Sequence, residues 1–128
     1  MRKAGLLLAI SSLPSKYGVG DFGGKAFEFI DFISDIGIKI WQILPLNPLG
    51  YGNSPYQPYS SKALDELYID LDEFVECGWI QCDDLPDFKT SSVDYQRARE
   101  YKVKKIKEAF YHFEKTPDYL AFIQEDWV

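Results

Sequence analysis

Apolar residues run almost unbroken from Ala4 to Ile10, with charge before them and hydroxyls after. A continuous apolar run bounded by turn residues predicts a strand buried on both faces. Leu13 to Gly24, carrying Pro14 and four glycines, reads as a loop. Ala26, Phe27, Phe29, Ile30, Ile33 and Ile36 then recur at helical spacing, opposite Glu28, Asp31 and Asp35. Gly37 is placed to end that helix as a left-handed cap. Ile38 to Leu44 is strand-like again. Strand, helix and strand with short links predict a right-handed βαβ unit with parallel strands.

Beyond Tyr68 the pattern changes, and strand-like runs stop. Asp70 with Glu73 three residues later suggests a capping-box start to a short helix ending at Gly78. Trp79 to Ser92 is loop-rich. Asp94 caps a long helix to about Glu114, with Ala98, Tyr101, Ile106, Ala109, Phe110 and Phe113 as its buried stripe. Lys102, Lys104, Lys105 and Lys107 cluster there and read as a wet face interrupted by Val103 and Ile106. Thr116-Pro117 reads as N-cap and first residue of a last helix, with Leu120, Ile123 and Trp127 inward.

Composition narrows the classes. A net charge of −6 argues against nucleic acid or an anionic membrane surface as partner, since both need basic patches. One domain at most fits 128 residues, and the apolar share suffices for a core. Cys77 and Cys82, with His112 the single histidine, cannot complete a zinc site, so they read as free, buried or half-buried thiols in a reducing cytosol. Arg2 and Lys3 before Ala4–Ile10 superficially resemble a signal peptide, but the run is short and lacks a small-residue cleavage site. No run is long enough to span a bilayer. A soluble, cytoplasmic protein is expected, with no cofactor and no metal.

The most unusual chemistry lies at 44–60. Pro45, Pro48, Pro55 and Pro58 forbid regular ladder pairing, while Gly50 and Gly52 permit positive φ. Tyr51, Tyr56 and Tyr59 stand beside Asn47, Asn53, Ser54 and Gln57. Flat apolar ring faces with neutral hydrogen-bonding groups suit a sugar. Composition alone leaves that reading level with a solvated loop that binds nothing. In parallel α/β folds ligands bind beyond the carboxyl ends of the strands. Both unusual loops, 11–24 and 45–61, follow strands directly and are expected at that one end. Gly23-Gly24 at a strand–helix junction fits neither a Walker nor a dinucleotide fingerprint.

Four blocks in order carry a resemblance: Ala4-Gly-Leu-Leu-Leu, Ser12-Leu-Pro-Ser-Lys-Tyr-Gly-Val-Gly-Asp-Phe-Gly, Trp41-Gln-Ile-Leu-Pro-Leu and Gly50-Tyr-Gly-Asn-Ser-Pro-Tyr-Gln. It continues more weakly through Glu66-Leu-Tyr-Ile-Asp-Leu and Val93-Asp-Tyr to Trp127. The sequence resembles the start of the 4-α-glucanotransferases, the amylomaltases or disproportionating enzymes of glycoside hydrolase family 77. The resemblance implies an α/β fold: the opening βαβ of a (β/α)8 TIM barrel over 1–67, then a largely helical inserted subdomain over 68–128, truncated at its C-terminus. Such a barrel takes about 250 residues, so the remainder of the barrel is needed as partner. The first strand, left here without its barrel neighbours, is expected to expose an unpaired apolar edge, an aggregation hazard.

The activity implied is transfer of α-1,4-glucan segments to glucose or a maltooligosaccharide by two carboxylates in a retaining double displacement. The family's nucleophile, acid/base and stabilising Asp fall later in its sequence, so no catalytic residue is assigned here and this chain alone is expected to be inactive. Ser54 and Tyr56 match positions lining the donor-sugar pocket, with Tyr56 offering a ring face or hydroxyl unless it merely packs the loop. Tyr51 matches a tyrosine of a second glucan site, and Asn47 and Gln57 support. Trp41 is expected in the core, and Asp21 either organises the first loop or reaches the cleft. Two departures stand out. Ala9-Ile10 occupies a place where many members have His or Pro, and Lys62-Ala-Leu64 one where an aromatic and a glycine are usual. Leu64 would strain that turn if it were left-handed. The alternatives are a free-standing, non-catalytic glucan-binding module, or a structural fragment completed by a partner chain.

Overall fold

A computed structural model describes residues 2–89 and 91–125. Strand β1 (Gly5–Leu7) pairs in parallel with β2 (Ile40–Gln42), in register Gly5 to Ile40, Leu6 to Trp41 and Leu7 to Gln42. Helix α1 (Gly24–Asp35) lies between them in sequence, so the strand, helix and parallel strand read from periodicity are present. The strands are shorter than the apolar runs. β1 gives way to a 3-10 turn at Ile10–Ser12, where the Ser12 and Leu13 amides donate to the carbonyls of Ala9 and Ile10.

The expected burial on both faces is not found. Leu7 is 58% exposed and Ile40 47%. Each strand has a single neighbour, and nothing among the described residues covers those side chains. Helix α1 behaves the same way. Ala26 and Ile33 are buried, and Phe29 meets Trp41 edge-on with ring centroids 4.9 Å apart. Phe27, Ile30, Phe32 and Ile36 instead face outward. Gly37 caps the helix at φ 83°, as its position suggested. Trp41 is half-buried and its Nε1 donates to the Leu8 carbonyl at 2.9 Å.

The second half is helical. α2 (Asp72–Glu76) begins one residue later than the capping-box reading placed it. Leu71 is its N-cap, and Asp70 accepts from the Asp72 amide in a turn instead of capping the helix. Gly78 follows at φ 72°. α3 (Tyr95–Phe110) is capped by Asp94, whose carboxylate accepts from the Arg97 amide at 3.0 Å. It stops short of Glu114, and Phe110 is exposed, stacked on Phe113. α4 (Pro117–Phe122) has Thr116 as N-cap and Pro117 first, as read. Leu120 and Ile123 were expected inward but are more than 40% exposed; Trp127 lies outside the described residues.

The core sits between the loop after β1 and α3. Tyr17 packs with Leu71, Ile80, Tyr101 and Ala109, and alongside them Val19, Leu49, Leu67 and Ala98 form a second cluster. The lysine cluster departs most from expectation. Lys104 and Lys107 are solvated, but Lys102 is fully buried and Lys105 nearly so. Both lie on the inward stripe with Ala98, Tyr101 and Ala109, where each ammonium has a partner. Cys82 is half-buried beside that core, whereas Cys77 is exposed because it ends a short surface helix. Among the described residues no helix is long and apolar enough to cross a membrane, and none group as metal ligands.

Candidate functional site

Parallel pairing puts the carboxyl ends of β1 and β2 side by side, so both long loops leave from one end. A hollow of about 190 Å³ opens there, lined among others by Ser11, Leu49, Asn53, Pro55, Tyr68 and Tyr95. The first loop, the proline–tyrosine loop and the start of α3 each contribute to its wall.

The second loop owes its shape to a few bonds. The Asp65 amide donates to Leu46 and the Tyr59 amide to Pro48, closing the loop at its base. Asn47 Nδ2 donates to the Ala63 carbonyl at 2.8 Å, so this side chain helps to close the loop at its base. Gly50 passes so near the Gln57 carbonyl that a Cβ there would overlap it. A tight turn at Tyr51–Asn53 follows, with Gly52 at φ 68° and Asn53 at φ 56°. Ser54 Oγ accepts from the Tyr56 amide at 3.3 Å, and the Ser54 carbonyl from the Gln57 amide.

These bonds hold up three open rings. Tyr51, Tyr56 and Tyr59 are 89%, 72% and 82% exposed. Among the described residues, little packs against Tyr56. Gln57 is exposed beside it, and Ser54 is half-buried. Leu64 is exposed, and Asn53 alone among the described non-glycine residues has positive φ, so the strain anticipated at Leu64 is not there. Asp21 organises the first loop, accepting from the Gly23 amide at 3.2 Å and from Ser15 Oγ.

Sequence reasoning missed the residues underneath. Asp65 is buried and accepts from the amides of Leu49 and Leu67 and from both terminal nitrogens of Arg99. Lys102 Nζ donates to Asp21 at 2.7 Å and to the carbonyls of Leu67 and Ile69. One signal was available: a lysine on the same helical stripe as Ala98, Tyr101 and Ala109 must be paired to be buried.

The acids differ in charge balance. Burial raises Asp21 above the usual carboxylate range, against the pull of Lys102, and lowers Lys102 against that of Asp21. At Asp65 burial pushes upward too, but the Arg99 guanidinium and two backbone amides outweigh it, so the carboxyl lies below its ordinary 3.8. A depressed carboxylate contributes stability that is full above its unfolded value and lost as pH falls through the folded one. Urea midpoints at pH 7 and pH 3 check this: the wild-type chain is expected to lose more stability between them than Asp65→Asn, which has no proton to take up.

With the geometry established, relatives give it context. The sequence matches the 4-alpha-glucanotransferase family over residues 8–128. It is 46% identical over 127 residues to a 4-alpha-glucanotransferase of Synechocystis sp., covering 97% of this chain and 25% of that protein. A 4-alpha-glucanotransferase of Aquifex aeolicus is 41% identical, with 98% of this chain and 26% of the relative covered. Among solved structures, an amylomaltase from Streptococcus agalactiae in complex with acarbose superposes with TM-score 0.81 at 34% identity, over 96% of this chain and 26% of that one. The chain belongs to the 4-alpha-glucanotransferase family. It spans about a quarter of the length of these curated relatives.

Proposed function

We propose that this chain is the N-terminal portion of a 4-α-glucanotransferase and supplies part of its glucan-binding surface. Residues 1–67 contribute the opening βαβ of a (β/α)8 barrel and residues 68–128 a helical excursion from it. The whole enzyme moves α-1,4-glucan segments to glucose or a maltooligosaccharide by retaining double displacement, in the cytoplasm, with no cofactor or metal. Its two carboxylates lie outside these 128 residues, so the chain alone transfers nothing. The uncovered apolar side chains of α1 and the sheet suit the packing of further barrel elements.

The observation that carries this reading is the single end from which both loops rise, with Tyr51, Tyr56 and Tyr59 exposed on the same loop that lends Leu49, Asn53 and Pro55 to the hollow. Tyr56 lends its ring face to a pyranose, and Ser54, already oriented by the Tyr56 amide, supplies a hydroxyl beside it. Tyr51 serves a second glucan contact farther out, with Asn47 and Gln57 in support.

Glucose release from maltotriose by the full-length gene product tests the reading. Tyr56→Ala is expected to raise KM about tenfold, the loss of roughly 1.4 kcal/mol of binding. Absence of transfer by the wild-type product would refute the proposal. The 128-residue chain titrated with maltooligosaccharides addresses the binding-module alternative, which requires a folded monomer that binds.

A further inference from the structure

We infer that α3 is a clamp that sets the spacing of the two loops, with Arg99 and Lys102 as positioning residues for the glucan site; this rests on the functional reading above. The two cations stand three residues apart, and so on neighbouring points of one helical face. Each takes hold of a different loop. Arg99 donates to both oxygens of Asp65, at 2.9 and 2.7 Å, and to Glu66 at 2.9 Å. The same two oxygens accept from the amides of Leu67 and Leu49. Leu49 lines the hollow and immediately precedes Gly50-Tyr51, so the planar fork of Arg99 orients the carboxylate from which the tyrosine loop hangs.

Lys102 does the equivalent for the first loop. Its three donors go to Asp21, Leu67 and Ile69, and Asp21 in turn holds Gly23 and Ser15. Leu67 belongs to both halves of the arrangement: its amide goes to Asp65 and its carbonyl to Lys102. Neither cation lines the hollow, so each acts through the acid it holds. Tyr95, in the first turn of the same helix, does line it. A displacement of α3 would therefore move the tyrosine loop, the first loop and one wall together.

The test uses Arg99→Lys and Asp65→Asn in the full-length gene product. A lysine keeps the charge but, as a single point donor, cannot hold both oxygens in one orientation. Each variant is expected to raise KM for maltotriose about fivefold with kcat within about twofold. Amide hydrogen exchange should quicken at Leu49 and across residues 50–60 while the middle of α3 stays protected. A lower melting temperature with KM and loop exchange unchanged would make both residues merely structural and overturn the clamp. If the wild-type product shows no transfer, the functional reading fails separately. Exchange then decides alone: faster loop amides in the variants uphold the clamp, and unchanged ones refute it.

Discussion

Lys102→Met is expected to cost the folded chain about 3–5 kcal/mol, the range for stripping one partner from a buried ion pair. Met keeps the length of the stem and fills the space, so the loss is electrostatic. The Lys102 side chain is 0% exposed and that of Asp21 7%, which leaves the orphaned carboxylate little water. The carbonyls of Leu67 and Ile69 lose the same donor. Such a cost is a large part of the roughly 5–15 kcal/mol that stabilises a domain. The deficit should also depend on pH. Without Lys102 the upward push of burial on Asp21, to which Asp70 adds, is opposed chiefly by the weaker pull of the Gly23 amide. A carboxyl raised in the fold contributes stability that is full below its unfolded value and lost as pH rises through the folded one. Urea unfolding should therefore show the variant nearest to wild type in acid and furthest at neutral pH. Adding Asp21→Asn should recover part of the loss at neutral pH. Equal stability of Lys102→Met and wild type at pH 7 would mean that the pair is not buried in solution.

Gly20→Ala should be nearly as damaging, for a steric reason. A Cβ at Gly20 would overlap the Ile10 carbonyl oxygen and stand 2.7 and 2.8 Å from the carbonyl oxygen and amide nitrogen of Leu13. All three atoms are backbone, so no side chain can rotate away. They belong to the tight turn leaving β1, which the Gly20 amide itself ties down by donating to Ser11 at 3.2 Å. Overpacking costs about 1–3 kcal/mol where side chains can adjust, and here they cannot, so the upper end or more is expected. On the usual scale for a domain of this size, that lowers the melting temperature by roughly 10 °C. Gly24→Ala makes a clean control, since its Cβ would meet nothing within 4 Å. Its melting temperature should match or exceed that of wild type. Similar losses in both variants would mean that the close approach at Gly20 does not exist.

Elements governed by local chemistry were legible in the sequence. Gly37, Asp94 and Thr116-Pro117 each mark a helix end through a bond or a φ angle that one residue decides. The tyrosine loop was legible too, because prolines and glycines constrain the backbone wherever they stand. Burial was harder to read. The apolar pattern of β1 and α1 states which faces are fit to be covered, not which are covered by the described residues; Leu7 and Phe27 show the gap. The pairings that support the loops were hidden for another reason, even where the stripe marked Lys102 as needing a partner. Asp21 with Lys102, and Asp65 with Arg99, are polar residues far apart in sequence, and periodicity has no means of joining them. Leu120 and Ile123 failed similarly: a short apolar helix carries no label for its packing partner.

The distance in sequence between Asp21 and Lys102 has a consequence for how the molecule is made. The acid is synthesised 81 residues before its lysine. At roughly 5–20 residues per second, the first loop emerges from the ribosome about 4–16 s before its anchor does. Arg99 follows Asp65 by 34 residues, so the tyrosine loop waits less. Both loops become fixed at nearly the same moment, when one turn of one late helix is completed. Until then the nascent chain carries two buried-type acids with no counter-charge. A translational pause just before residue 99 would prolong that state, and one just after residue 102 has cleared the exit tunnel would not.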